Sequence, residues 1–236
     1  MTSVGSHLVQ SAQTSNGATP FVRLVNASRS FGSTRALRDV TLDLAVRGQL
    51  HALVGENGAG KSTCLGLVSG RIAPSSGTIL VDGVELEYGS PRASKGAGIH
   101  TIYQELTIVP ALSPEANVFL GQALSRRGWL RSGAMRRAYE ELCGRLGVAP
   151  IAASHAGSLS IADQQLLEIM RALISTARAI LLDEPTAALA EHEREILFRT
   201  LHGLRGRGMA LTLVSHNLDE VLAHSDVVTV FRDGEL

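Results

Sequence analysis

Apolar residues fall into two kinds of pattern along this chain: short runs and alternations that suit strands, and three-to-four spacings that suit helices. From Phe21 to Val84 the strand kind dominates, in FVRLV, VTLDL and LHALV, then in GTILVDGVEL, where Asp82-Gly83 marks a tight hairpin turn. These stretches predict an antiparallel β flap beside a core. From Leu106 to about Ile174 the spacing turns helical, with Leu142 and Leu146 in one stretch and Leu166, Ile169, Met170, Leu173 and Ile174 in another. An inserted helical subdomain over about 106–175 is therefore expected. Strand runs resume in AILLDEP and ALTLVSH, separated by a helical stretch from Glu191 to Leu204, and a last run, VVTVF, follows. Strand, helix, strand alternation implies a mostly parallel sheet, so the expected fold class is α/β.

The polar ends complete this outline. Residues 1–19 are rich in Ser, Thr, Gln and Asn with almost no bulky apolar content, and are expected to form a disordered N-terminal tail, leaving 20–236 as one domain. At the other end VVTVFRDGEL reads as a strand, an Asp233-Gly234 turn and two residues of a return strand, which predicts a chain that stops inside a hairpin.

The strand LHALV runs into Gly55-Glu56-Asn57-Gly58-Ala59-Gly60-Lys61-Ser62-Thr63, and a helix-like run from Cys64 to Ser69 follows. Strand, glycine loop and helix in that order form the phosphate cradle of a P-loop NTPase core. Its glycines let successive backbone N–H groups point at one anion, and the helix N-terminus adds partial positive charge. Lys61 supplies an ammonium for the β- and γ-phosphates and Ser62 a hydroxyl for Mg²⁺. Of the 22 basic residues only Lys61 and Lys95 are lysines. A point charge on a thin stem fits this position where a planar guanidinium does not.

In AILLDEP four apolar residues deliver Asp183 and Glu184 to the end of a buried strand. Next to a phosphate cradle, Asp183 is expected near Mg²⁺ and Glu184 beside the attacking water. Alone, the same pair reads equally as a strand ending in a solvated acidic turn. The strand ALTLV ends in Ser215-His216, which brings an imidazole to the same sheet edge.

Composition removes some alternatives. Lys+Arg and Asp+Glu balance at 22 each and 44% of the residues are apolar, so the chain can fill a core and carries no excess charge of the kind that nucleic acid attracts. No nucleic-acid partner is expected. The one basic cluster, Arg126, Arg127, Arg131, Arg136 and Arg137, reads as a solvated helical face. Cys64 and Cys143 lack metal or redox spacing, as in a reducing compartment, and Cys64 reads as a small core residue. No apolar run is long enough to span a bilayer, and residues 1–19 lack the basic start and apolar stretch of a secretory signal.

GENGAGKST, Gln104 in IYQEL, LSIADQQ at 159–165, ILLDEPT, and His216 in LVSHNLDEV together resemble the ATP-binding-cassette (ABC) ATPases, in that family's order. YQELTIVPALSPEANVFLG, LSIADQQLLEIMRAL and DEPTAAL resemble more closely the N-terminal cassette of the tandem ATPases of ribose- and galactose-type monosaccharide importers. The resemblance runs from about Phe21 to the end. It implies ATP hydrolysis coupled to transport at the cytoplasmic face of a membrane, with a second cassette and permease subunits as partners and a periplasmic sugar-binding protein indirectly. It also implies site roles: Phe31 stacking on adenine, Gln104 sensing the γ-phosphate and Mg²⁺, His216 contacting the γ-phosphate, and Ser160 in a motif that reaches another cassette's ATP. Phe31 reads alternatively as a core aromatic, and Ser160 as the N-cap of a helix with Asp163 three residues on. The sequence departs from the family's LSGGQ at Ile161, Ala162 and Asp163, and Ala190 stands where many cassettes carry a dimer-contacting Asp. By the same resemblance the chain is expected to precede a second cassette. The alternative class is a soluble cassette ATPase that gates macromolecular binding in translation or DNA repair; the neutral charge balance and the lack of a basic arm speak against it.

Overall fold

The computed structural model describes residues 20–126 and 129–236. The expected tail at 1–19 lies outside them, as do Arg127 and the side chain of Arg126. The first hairpin pairs β1 (Val22–Phe31) with β2 (Thr34–Ala45), both longer than the apolar runs FVRLV and VTLDL. β1 also pairs with β4 (Ser76–Val81), and β4 with β5 (Val84–Glu85), giving an antiparallel sheet in the order β2-β1-β4-β5. Asp82 and Gly83, at φ 49° and 77°, make the two-residue turn the sequence predicts, because their positive φ angles match the twist of the flanking strands.

The second sheet is parallel throughout, in the order β11-β3-β10-β9-β6, from β3 (Leu50–Gly55), β6 (Ile99–Ile102), β9 (Ala179–Asp183), β10 (Ala210–Val214) and β11 (Val227–Phe231). Its central strands are buried almost throughout because both faces are covered, and apolar but for His51 in β3, Thr212 in β10 and the terminal Asp183 of β9. Leu53, Ala179, Leu181, Ala210 and Val214 face a core shared with the antiparallel sheet and with α1 (Lys61–Val68). Their neighbours Leu50, Ile180, Leu182, Leu211 and Leu213 face the opposite core, which α6 (Glu191–Gly206) closes with Leu197, Phe198, Leu201 and Leu204. The two-residue period of a strand accounts for this division.

Between the sheet strands β6 and β9 lie α3 (Pro114–Val118), the short hairpin β7 (Ser125–Arg126) and β8 (Trp129–Leu130), α4 (Ser132–Leu146) and α5 (Ile161–Ile174). Leu142 of α4 and Leu166, Leu167 and Met170 of α5 are buried against one another in a third core. Two short helices, α2 (Pro91–Gly96) and α7 (Leu218–His224), and a single 3-10 turn at Ala156–Ser158 complete the described elements. Cys64 and Cys143 are both buried, as expected of small core residues, and burial pushes the Cys64 thiol up to about 12. Arg131, Arg136 and Arg137 are exposed, the last two on α4. Among the described residues no helix is long and apolar enough to cross a membrane.

Candidate functional site

β3 ends at Gly55 and α1 begins at Lys61, one turn earlier than the apolar pattern suggested. The loop between them admits no side chain at two points. A Cβ on Gly55 would stand 2.2 Å from the Phe231 carbonyl oxygen, and one on Gly60, at φ 111°, would stand 2.6 Å from that of Ala36. The loop is thereby held against β11 on one side and β2 on the other. Lys61, which is buried, folds back so that Nζ donates to the carbonyl oxygens of Gly55 at 2.6 Å and Glu56 at 2.9 Å. Ser62 is exposed and Thr63 half-buried at the start of the helix.

The register Val214↔Asp183 brings the ends of β9 and β10 level. Glu184 leaves β9 in the left-handed region, at φ 49°, while its N–H donates to the Val214 carbonyl at 3.0 Å. A non-glycine residue in that region carries strain. Here the turn swings the carboxylate towards β10, where Glu184 Oε2 lies 2.9 Å from His216 Nδ1. His216 is fixed from the other side, because Asn217 caps α7, its Oδ1 accepting from the N–H groups of Asp219 and Glu220. Gly55, Glu56, Asn57, Glu184 and His216 line a single open cleft of 720 Å³, with Val54, Leu218 and Val230 adding apolar wall. Asp183, the last residue of β9, is half-buried next to Glu184. Burial first and the Glu184 charge second raise its pKa above the ordinary carboxylate value, partly offset by Lys61 and Arg71.

Of the predicted residues, Gly58, Ala59, Gly60, Lys61, Ser62 and Thr63 continue the loop into α1 beyond this cleft lining, Asp183 precedes Glu184 at the end of β9, and Gln104, Phe31 and Ser160 lie on other elements. Gln104 is exposed two residues past β6, whose last residue Ile102 pairs with Leu182, so it belongs to the same strand-end edge as Asp183. Phe31 is 46% exposed at the end of β1, with the Arg29 guanidinium 4.6 Å above its ring, which overturns the core-aromatic alternative. Ser160 is the N-cap of α5, its Oγ accepting the Asp163 N–H at 3.2 Å.

Sequence reasoning missed three groups near the site. Arg71 lies over the Tyr103 ring at 4.6 Å and acts on Asp183. Gln165 of α5 donates from Nε2 to the Pro185 carbonyl at 2.6 Å, next to Glu184. Glu168, also on α5, is a buried carboxylate bonded to Thr107 and Arg171. A charged residue inside the apolar run 166–174 was the available signal for the last.

A phosphate-type loop between a buried parallel strand and a helix, with two carboxylates and an imidazole at adjacent strand ends, defines a P-loop α/β nucleotide-binding cassette. The sequence profile of the ABC transporter family matches residues 37–187, more than half of the chain, and the chain belongs to that family. It is 43% identical to the ribose import ATP-binding protein RbsA 2 of Rubrobacter xylanophilus over 93% of this chain and 43% of that protein. It is 41% identical to the arabinose import ATP-binding protein AraG 1 of Burkholderia ambifaria over 90% of this chain and 42% of that one. The chain thus spans less than half the length of these curated relatives. The fold matches that of a nucleotide-free ATP-binding cassette from an ABC transporter, with a TM-score of 0.81 at 23% identity, covering 92% of this chain and 89% of the other. A dimeric ATP-binding cassette bound to ADP and Pi matches with a TM-score of 0.75 at 26% identity, covering 91% and 96%.

Proposed function

We propose that this cassette binds Mg²⁺ and ATP at the 55–63 loop, hydrolyses the ATP, and thereby energises a monosaccharide importer. The observation that carries the proposal is the Glu184–His216 pair, 2.9 Å apart and in the same cleft as the phosphate loop. The residues present fit the metal: Asp183 is a half-buried carboxylate destabilised by burial and then by Glu184, a donor whose charge a divalent cation would relieve, and Ser62 offers an exposed hydroxyl. Ser62, Asp183 and Gln104 would hold it. Bound there, Mg²⁺ supplies neutralisation of charge across the β- and γ-phosphates.

The protein's own groups then divide the work. Loop N–H groups and the α1 N-terminus bind the phosphates, and Lys61 exchanges its two carbonyl acceptors for phosphate oxygens. Glu184 orients the attacking water in line and takes its proton. His216 bonds Glu184 through Nδ1, which holds the carboxylate in place, and Nε2 is the ring nitrogen left for the γ-phosphate. Phe31 stacks on adenine once its ring leaves Arg29, and Ser160, at the α5 N-terminus, serves the ATP of a partner cassette. That partner, the permease subunits and a periplasmic sugar-binding protein make up the importer, with this chain at the cytoplasmic face of the membrane. The names of the relatives make ribose and arabinose the first sugars to try.

The experiment has two parts. Purified chain should bind ATP in calorimetry and release phosphate only with Mg²⁺ present, and deletion of its gene should lower uptake of labelled ribose or arabinose. Absence of ATP binding would remove the enzymatic reading, and unchanged uptake of both sugars the transport one.

A further inference from the structure

We propose that Glu168 is a positioning residue, which with Arg171 fastens the Gln104 loop to helix α5. This rests on the proposed function for the importance of Gln104, while the link itself stands on geometry. Glu168 is only 5% exposed and lies between Leu167 and Ile169, both fully buried. A carboxylate in such a place is costly unless its bonds are made. Its Oε1 accepts the Thr107 N–H at 2.5 Å, the Thr107 hydroxyl at 2.7 Å and Arg171 Nη2 at 2.8 Å. Arg171 Nη2 also donates to the Thr107 hydroxyl at 2.6 Å, and Nη1 reaches the Thr107 carbonyl at 3.5 Å. One i,i+3 pair on α5 therefore holds every polar group of Thr107.

Thr107 is itself exposed and lies outside any helix or strand. Among the described residues no backbone-to-backbone hydrogen bond ties down 103–107; the segment's polar anchors are Ile102 in the sheet and Thr107 on α5, with Tyr103 against Arg71 and Leu106 packed on the core between them. Gln104 is two residues from the first anchor and three from the second, at most about 7 Å and about 11 Å of chain. Its position is thus set jointly by the sheet and by α5. The same helix face makes the second link, from Gln165 to the Pro185 carbonyl beside Glu184. A helix whose N-terminus carries Ser160 consequently holds both loops that bear Gln104 and Glu184. Displacing α5 carries both loops with it, and Glu168 is the stronger of the two ties because it is charged and makes three bonds.

The test uses the full chain with spin labels at Glu140→Cys on α4 and Asp219→Cys on α7, both exposed, the native cysteines being buried. Without nucleotide, the interlabel distance distribution of the otherwise unaltered chain should be narrow, and Glu168→Gln and Thr107→Val should each at least double its width. At micromolar chain the same variants should lose about tenfold or more in kcat while KM for ATP stays within about twofold. Unchanged widths, or a KM that rises in step with the fall in kcat, would overturn the proposal. Should Glu168→Gln fail to fold, Thr107→Val, at an exposed position, carries both measurements. A chain that turns over no ATP would defeat the functional reading, while the widths still decide the link.

Discussion

The phosphate-loop cleft and the N-terminus of α5 differ in how complete they are. At the cleft, β9 and β10 end level while β3 runs two residues further to Gly55, so Asp183, Glu184 and His216 come to the sheet edge from which the loop to Lys61 departs. At α5, Ser160 caps the helix by accepting the Asp163 N–H, the Asp163 carboxylate has no hydrogen-bond or ion-pair partner among the described residues, and nothing in 159–163 lines the cleft. The first region gathers its chemistry within one chain; the second brings its polar groups to no cleft of this chain. On the proposed function, a single chain holds a catalytic edge and a donor edge that do not meet, and pairing with a second cassette is the condition for turnover that the following measurements test.

The largest effect should come from Lys61→Ala. It acts on the cleft alone, and calorimetry should find most ATP affinity gone and no measurable hydrolysis, with the far-UV circular dichroism of the fold retained. Next is Glu184→Gln, which should keep ATP affinity within about threefold but slow hydrolysis by about 100-fold or more. Turnover close to that of the unaltered chain would move the base to another residue and break the account of the cleft.

A smaller effect sharpens the donor side. A carboxylate at Asp163 about 5 Å from a partner's γ-phosphate is repelled by about 3 kcal/mol at an effective dielectric near 20, more than the roughly 1 kcal/mol a first-turn acid gains from the helix dipole. Ala162→Gly with Asp163→Gln should thus raise turnover at the partner's site several-fold in a reconstituted pair whose partner keeps its own base. No gain would mean that Asp163 faces away from the partner and acts only in its helix.

The smallest effect concerns the scaffold beneath the loop. His51 in β3 bonds Thr229 of β11, and burial lowers its pKa to about 4. Its folded value lies below the unfolded one, so stability is full above about pH 6.5 and is lost as pH falls towards 4, by at most about 1.4 kcal/mol per pH unit from this group. Urea titrations from pH 7 to pH 4 should show that slope, and His51→Gln should flatten it.

The two regions also differed in how far the sequence exposed them. The cleft was legible because its strands are mostly apolar runs that stop at chemistry: LHALV at Gly55, AILL at Asp183, ALTLV at Ser215-His216. What the runs could not give was strand order, since five parallel strands pair by crossover rather than by adjacency. β6 was missed because IHTI is four residues long with His and Thr at its centre, a pattern too short to separate from a loop. The bonds of α5 to Thr107 and Pro185 were equally hidden. Helical periodicity identifies an apolar face, but it does not say which distant backbone groups Gln165 and Glu168 will meet on it.

The most direct test is the specific ATPase activity of the isolated chain over a range of protein concentration. If the catalytic and donor edges belong to different molecules, activity per chain should be slow at nanomolar concentration, rise with concentration, and level off only when pairs form. Fast hydrolysis at nanomolar levels, independent of concentration, would show that one chain completes its own site and would contradict the account.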